Sequence, residues 1–459
     1  MATIQGRTLD LDQAASSPAF MRRTILILAW PVAAEMTLHT LTQMIDMAMV
    51  GRLGPEAVAA VGLSLRPLFV AMSVFLGIGA GATALVARFT GAADKEGARV
   101  ATHQSLLFAM LVALVIGSLI GVFAPQIVTL MGAEPDVLPM GTMYVRLMSP
   151  GLMFAFTGMV AASALRGGGD TRTSMQVNAV VNTLNVFLNY VLIFGHLGFP
   201  ALGVTGAGIA TSLARGLGGT VLLYLLFRGR LILSLPTRGF FRINIAWVTR
   251  LLRVALPAVA ERLMFSLSMV IHLRMLATLG TTTVAAATLA QSVEEISILP
   301  AVGLSIASGA LVGQMLGAER PDEAERAGWE SVRIGLLFMG SMGLFFLLIP
   351  SVFLAIYGAE GELMELGRDL LRVVGAFQIP MSIAFVLGGA MRGAGYTSYV
   401  MKVTLFCSWG VRLGLTALAL FVFNLGPVFA YAALGMDWLV RTLLLTHRFR
   451  LGTWKETEV

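Results

Sequence analysis

The sequence predicts an all-α polytopic membrane protein with twelve transmembrane helices in two parallel six-helix repeats. Three observations support this prediction: the composition, the placement of basic residues and an internal duplication. The chain has 459 residues, 57% of them hydrophobic and 12% charged, whereas soluble domains carry about 25% charged residues. A soluble multi-domain enzyme and a disordered chain are therefore excluded. At about 20 residues per crossing, the length leaves room for roughly twelve to fourteen spans.

Long apolar runs, interrupted by charged or Gly- and Pro-containing breaks, define the individual spans. The runs do not alternate between polar and apolar residues, which excludes an outer-membrane β-barrel. Cys407 is the only cysteine, which excludes a disulfide framework and a cysteine-based metal site. The twelve spans are predicted near 24–50, 57–87, 100–123, 138–165, 173–194, 203–227, 250–277, 283–313, 327–351, 363–391, 397–422 and 427–447.

The basic residues predict the orientation of these spans. Cytoplasmic loops of membrane proteins carry an excess of Lys and Arg, and 20 of the 32 basic residues lie in alternate loops and the two termini, against Arg52 alone in the opposite loops. Both termini are therefore predicted to be cytoplasmic, and the net charge of +7 is interpreted as a topology signal rather than a nucleic-acid-binding surface. The residues assigned to the cytoplasmic tail are Arg441, Arg448, Arg450 and Lys455.

The chain contains its own duplicate at an offset of 226 residues. Residues 28–64 align with residues 254–290, and the same register continues through later spans. Six spans are an even number, so both halves enter the membrane in the same direction, as a parallel repeat about an axis along the membrane normal. The pairs that fix the register are Pro31 with Pro257, Glu35 with Glu261, Arg146 with Arg372, and 164–171 with 390–397.

This duplication predicts the domain organisation and the class of protein. Two similar bundles about a central axis favour a carrier with alternating access over a channel or a membrane-embedded enzyme. The predicted segments are a cytoplasmic N-terminal segment 1–23, an N-terminal six-helix bundle 24–227, a cytoplasmic linker 228–249, a C-terminal six-helix bundle 250–447 and a cytoplasmic tail 448–459.

Polar residues within the spans are the candidates for function, because ionisable groups are costly in the bilayer. Span 1 carries a polar stripe that includes Glu35, His39 and Asp46, and span 5 repeats the spacing with asparagines. A carboxylate beside amides suits proton or cation binding, because amides can donate to the charged acid or accept from the neutral one. The predicted proton- or cation-binding residues are Asp46, Asn185, Asn189, Glu35 and His39.

The substrate cavity is predicted to draw on other polar and flexible side chains of the spans. Glu261 together with Glu294 or Glu295 is a hypothetical second carboxylate site in the C-terminal bundle. Structural roles compete with these assignments, because asparagines join membrane helices and an acid near a helix-kinking proline can satisfy freed backbone groups. The predicted substrate-cavity residues are Gln43, Asn182, Glu261, His272, Glu294 and Met264.

Several motifs together resemble the multidrug and toxic compound extrusion (MATE) family over essentially the whole chain. They are QMIDMAMVGRLG (43–54), ALRGGGDT (164–171), NTLNVFLNYVLIFGHLGFPALGVTGAGIAT (182–211), LVGQMLGAERPDEAER (311–326) and AMRGAG (390–395). The resemblance implies two six-helix bundles around a V-shaped cleft and export of organic cations against inward H⁺ or Na⁺ flow. Asp46 matches the ion-linked aspartate of the family's first helix.

The sequence departs from the family pattern at three places. Asn189 and Asn185 stand where some members carry a second aspartate in the fifth helix, and Phe265 and Met381 stand where others carry C-terminal acids. These departures weaken the case for a C-terminal ion site of the known kind.

The predicted function is secondary active multidrug efflux in exchange for H⁺ or Na⁺. No cofactor beyond the coupling ion and no enzymatic activity are expected, although Na⁺ at Asp46 is considered. The expected partners are organic cations and the lipid bilayer, with no nucleic acid and with a monomeric transporter in the bacterial inner membrane. The alternative is a lipid or lipid-linked oligosaccharide flippase of the same superfamily, expected to have a more arginine-rich cleft.

Overall fold

The computed structural model describes residues 11–12, 17–229, 231–236 and 241–457. Within these residues, twelve helices are long and apolar enough to cross a membrane, and no strand occurs. The spans are α1 Pro18–Gly51, α2 Pro55–Gly91, α3 Lys95–Val122, α4 Leu138–Gly167, α5 Thr171–Phe194, α6 Val204–Phe227, α7 Ile245–Leu276, α8 Thr281–Gly317, α9 Pro321–Leu348, α10 Gly361–Gly393, α11 Thr397–Val422 and α12 Pro427–Arg450. Two short helices, Ala124–Leu130 and Pro350–Ile356, follow α3 and α9, and a 3₁₀ turn, Ala277–Leu279, follows α7. The predicted all-α fold with twelve spans is confirmed.

The residues at the helix starts explain where several spans begin. Asp94 accepts a hydrogen bond from the Gly97 backbone N–H at 2.8 Å, and Asp170 accepts one from the Thr173 N–H at 3.0 Å. These side chains satisfy N–H groups that the first turn leaves without a partner. Gly54, immediately before α2, has a φ of +110°, which favours glycine because other residues rarely adopt it.

The chain divides into two compact units whose boundaries fall inside helices. The first unit is Ala34–Val259, and the second contains Ala260–Val459 with Leu9–Ala33, as far as these residues are described. Both divisions lie two residues after the prolines that align in the repeat, Pro31 and Pro257. The first turns of α1 therefore pack in the second unit, and the first turns of α7 pack in the first unit.

Close helix contacts at glycines account for this arrangement. A Cβ atom on Gly77 would lie 2.7 Å from the Val259 backbone nitrogen, within the first unit. A Cβ atom on Gly303, 226 residues further on, would lie 2.9 Å from the Ala29 carbonyl oxygen, within the second unit. Small residues let membrane helices approach this closely. These compact units separate at Ala33–Ala34 and Val259–Ala260. The division into two six-helix bundles joined by the linker 228–249 stays a prediction from the sequence.

Helices α1 and α5 run in the same direction and in constant register within the first unit. Asn178 lies 143 residues after Glu35, to which it donates a hydrogen bond, and Asn189 lies 143 residues after its acceptor Asp46. Two contacts with one offset require parallel helices, because the offset would change along an antiparallel pair. Spans α1 and α5, both odd-numbered, thus cross in the same direction, as the predicted topology requires.

Candidate functional site

Asp46 lies at the centre of a carboxylate–amide cluster in the first unit. The side chain of Asn189 donates to Asp46 Oδ1 at 2.7 Å. In the amide orientation that satisfies its neighbours, Asn185 Nδ2 donates to Asp46 Oδ2 at 2.8 Å. The two amides are buried, whereas Asp46 is half-buried. The structure thus brings together the three residues predicted as the main ion site.

Further polar groups of α4 and α6 surround this carboxylate. Tyr144 is buried, hydrogen-bonds Thr211 and interacts electrostatically with Asp46. Arg215, a residue of α6 that sequence reasoning missed, interacts electrostatically with both Asp46 and His39. The Asp46 carboxylate is therefore balanced by a cation without a direct ion pair among the described residues.

The cluster offers oxygen ligands suited to a hard monovalent cation or a proton. The Asn189 Oδ1 atom is buried and has no hydrogen-bond partner among the described residues. Together with the Asp46 carboxylate, it forms the kind of oxygen donor set that hard cations prefer. The described part of the chain contains no group of three or more His, Cys, Asp or Glu side chains able to hold a metal ion.

Glu35 forms a separate cluster with different partners. Its carboxylate accepts from Asn178 Nδ2 at 2.9 Å and contacts Arg166 Nη1 at 3.4 Å, and Arg166 also donates to Ser163 at 3.1 Å. Eleven residues separate Glu35 from Asp46, about 16 Å along a helix. The polar stripe predicted on span 1 therefore supplies two clusters rather than one.

The remaining residues of the stripes make fewer contacts. His39 Nε2 and Gln43 Nε2 lie 3.2 Å apart on the same helix. The Asn182 amide, between the two clusters, makes no hydrogen bond with the described residues and is partly exposed. All three side chains are partly exposed and make no hydrogen bond to another helix among the described residues.

The second unit repeats the Glu35 cluster in the same register. Glu261 accepts from Arg392 Nη1 at 2.9 Å and from the Thr404 hydroxyl at 3.3 Å. Each of these residues lies 226 positions after its counterpart in the first unit. Buried ion pairs hold helices in a defined arrangement when their hydrogen bonds are satisfied. Both glutamates are therefore placed as helix-joining groups.

A buried ion network of the second unit was not identified from the sequence. Arg412 and Asp437 form an ion pair and are both completely buried, and Arg441 contacts the same carboxylate at 2.8 Å. Arg441 was wrongly assigned to the cytoplasmic tail. It lies inside α12, where the Asp437 carboxylate compensates its charge. Asp437 and Arg441 lie four residues apart in an apolar helix, and this spacing is the sequence signal that predicts an ion pair.

The second unit lacks an Asp46-like site at the equivalent positions, because His272, Val411 and Leu415 stand where the first unit carries Asp46, Asn185 and Asn189. Its helix α11 also contains a π-helical segment, Phe406–Leu413. A π turn inserts one residue into a helix. The offset between contacting residues of α7 and α11 is 143 residues at Glu261–Thr404 and Met269–Arg412, and 144 residues at Ser268–Arg412 and His272–Thr416. The Arg412 guanidinium contacts both Ser268 and Met269 of α7.

The aromatic ring of Phe265 lies against the Arg412 guanidinium group. The Phe265 ring lies 4.9 Å from the Arg412 guanidinium carbon and 5.6 Å from that of Arg441. Phe265 occupies the position at which some family members carry an acid, and its ring lies against two guanidinium groups. Met381, at the other such position, is buried in the core.

The carboxylates proposed as a second site have different partners. The Glu294 side chain is buried and interacts electrostatically with Arg412 and Glu295, whereas Glu261 binds Arg392. Met264 contributes a backbone carbonyl that accepts from Trp409 Nε1 at 3.2 Å. The structure therefore does not bring Glu261 and Glu294 into one cluster.

Comparison with known proteins identifies the same two repeats. The MatE family model matches residues 31–191 and 257–418. The chain is 29% identical over 442 residues to the probable multidrug resistance protein NorM of Thermotoga maritima, covering 96% of this chain and 94% of that protein. It is 28% identical over 442 residues to the probable multidrug resistance protein NorM of Mesorhizobium japonicum, covering 93% of each.

A solved structure supports the fold. The MOP superfamily transporter from Pyrococcus furiosus has a TM-score of 0.87 and 23% identity, covering 98% of this chain and 99% of that chain. The fold and these relatives define a multi-pass membrane transporter, not an enzyme. The chain belongs to the MatE family, since the family model matches well over half of its residues.

Proposed function

We propose that this transporter is a secondary active multidrug efflux antiporter, which exports organic and often cationic compounds in exchange for H⁺ or Na⁺. The observation that carries the proposal is the Asp46 carboxylate held by Asn185 and Asn189. The names of the relatives, probable multidrug resistance proteins over nearly the whole chain, support the substrate class.

The Asp46 cluster supplies a chemical basis for exchange. The ionised carboxylate, with two amide donors, attracts a cation, and Arg215 nearby limits that attraction. Binding of a proton or Na⁺ at Asp46 removes the net negative charge of the acid, so that affinity for an organic cation falls. The asparagines tolerate both states, because an amide can donate to the carboxylate or accept from a carboxylic acid.

The same proposal includes the setting of the protein. The transporter lies in the bacterial inner membrane with both termini in the cytoplasm and works as a monomer. A lipid or lipid-linked oligosaccharide flippase, the alternative function, is not favoured, because the relatives that span nearly the whole chain are probable multidrug resistance proteins.

Gradient-driven transport in proteoliposomes tests this function directly. The full-length protein is reconstituted, a fluorescent organic cation such as ethidium is supplied, and a pH gradient and a Na⁺ gradient are imposed separately. We expect one of the two gradients to drive cation movement against its concentration gradient, with no movement in protein-free vesicles. Cation movement that ignores both gradients would contradict antiport.

A further inference from the structure

A cavity of about 210 Å³ lies within the second unit and is separate from the Asp46 cluster. Its walls come from α7, α8 and α12, and most of them are apolar. A cavity of about 150 Å³ holds benzene, so this one has room for roughly eight non-hydrogen atoms. The lining includes Met269, His272, Leu276, Ala287, Gln291 and Tyr431.

The imidazole of His272 supplies an unused polar atom to this cavity. The side chain is 3% exposed, and its Nε2 atom has no hydrogen-bond partner among the described residues. Leaving a buried polar atom unpaired costs about 1–3 kcal/mol. A ligand that satisfies Nε2 therefore gains an interaction that the protein alone does not provide.

The other ring nitrogen fixes which kind of partner Nε2 needs. His272 Nδ1 lies 3.1 Å from the Thr416 Oγ1 atom, whose hydroxyl donates to the Arg412 carbonyl at 2.7 Å. The Ala430 carbonyl lies 3.4 Å from the same hydroxyl. When the single hydroxyl hydrogen is donated to either carbonyl, Thr416 accepts from Nδ1–H. In the neutral imidazole, Nε2 is then a hydrogen-bond acceptor, and it needs a partner that donates.

The remaining lining determines the shape and charge of the partner. The Gln291 amide makes no hydrogen bond with the described residues and is partly exposed. No carboxylate lines the cavity. His272 interacts electrostatically with Arg412 and Asp437, and Tyr431 interacts with Glu294 and Arg412. A flat apolar molecule with one neutral N–H or O–H group satisfies the acceptor and fills the space.

We infer that this cavity, centred on His272, is a binding site for small neutral aromatic hydrogen-bond donors of the phenol or indole class. Such a site differs in chemistry from the Asp46 cluster, which suits cations. It extends the range of compounds bound beyond the organic cations of the proposed function. Binding here needs no ion gradient, so its failure is distinguishable from failure of antiport.

Fluorine NMR on the full-length protein in detergent tests this site. The probe is 4-fluorophenol, and the comparison ligand is 1,4-difluorobenzene, which has the same number of non-hydrogen atoms but no donor. We expect the phenol to bind about 3- to 10-fold more tightly, the effect of one hydrogen bond. His272→Phe should reduce this ratio to below twofold. Equal affinities in the unmodified protein would overturn the assignment.

A second variant tests the cavity without changing the imidazole. Ala287→Leu places a larger side chain in the cavity and should remove saturable binding of both ligands. Its matched control is Val61→Leu, at the equivalent position of the first repeat, which should bind both as the unmodified protein does. Comparison of proteins in one detergent removes the contribution of ligand partitioning into micelles. Unchanged binding in Ala287→Leu would place the ligands elsewhere and overturn the inference.

Discussion

Asp46 and His272 occupy the same position in the two repeats, 226 residues apart, but they have different partners. Asp46 accepts from Asn189, whereas His272 contacts Thr416. One duplicated helix position therefore carries an acid in one unit and an imidazole in the other. This difference is the basis for assigning ion coupling to the first unit.

Replacement of Asn189 by Ala should slow exchange without unfolding the protein. The change removes the 2.7 Å hydrogen bond to Asp46, and a hydrogen bond to a charged group contributes about 1.5–3 kcal/mol. We expect gradient-driven uptake to fall about tenfold or more at saturating gradient. The measurement is initial rate in proteoliposomes, and the control is Thr183→Ala, whose exposed hydroxyl bonds only its own helix. Equal rates for the two variants would contradict the assigned role.

The Glu35–Arg166 pair should be thermodynamically coupled. Removing one member leaves an uncompensated buried charge, which costs about 3–5 kcal/mol. We therefore expect Glu35→Ala and Arg166→Ala each to lower the unfolding temperature substantially, and the double variant to lower it by less than the sum. Thermal unfolding of the four purified proteins provides this cycle. Additive shifts would show that the two side chains stabilise the unit independently.

Asp437→Asn should destabilise the second unit more than Arg441→Met. The first change leaves two buried guanidinium groups without their shared acid, whereas the second leaves the Arg412–Asp437 pair intact. An unpaired buried charge costs about 3–5 kcal/mol. Unfolding temperatures of the two variants check the order, and the reverse order would contradict the shared role of Asp437.

Replacement by alanine should affect the unfolding temperature differently at two glycines of α2. At Gly77 a Cβ would lie 2.7 Å from the Val259 backbone nitrogen, whereas at Gly62 nothing lies within 4 Å. Overpacking costs about 1–3 kcal/mol, whereas alanine in an open helix gains about 0.5–1 kcal/mol over glycine. Gly77→Ala should therefore lower the unfolding temperature, and Gly62→Ala should leave it unchanged or raise it. Similar losses at both positions would argue against the close contact.

The sequence predicts the spans well because their apolar runs are long, but it predicts the helix ends less well. Helix α1 begins at Pro18, six residues before the predicted start, because a helix continues beyond its apolar run where polar partners hold it. Arg22, for example, donates to Glu330 at 2.6 Å. Hydropathy contains no information about such a long-range partner.

The site was only partly predictable for a related reason. Asp46, Asn185 and Asn189 were identified because their spacing places each set on one helix face. Arg215 was missed, since it is a single charge within a span and the acid that it faces lies on another helix. Asp437 was missed although Arg441, four residues later on the same helix, pairs with it, because its other partner, Arg412, lies on α11. The π-helical segment of α11 was also beyond prediction, because it shifts the register by one residue without a sequence signal.

The central claim is that Asp46 couples ion binding to export, and the Asp46→Asn variant tests it most directly. The measurement is uptake of a fluorescent organic cation into proteoliposomes with and without the driving H⁺ or Na⁺ gradient. We predict that the variant folds, because an amide can keep a hydrogen bond with Asn189, but shows no response to the gradient. Full gradient-dependent uptake by Asp46→Asn would contradict the account.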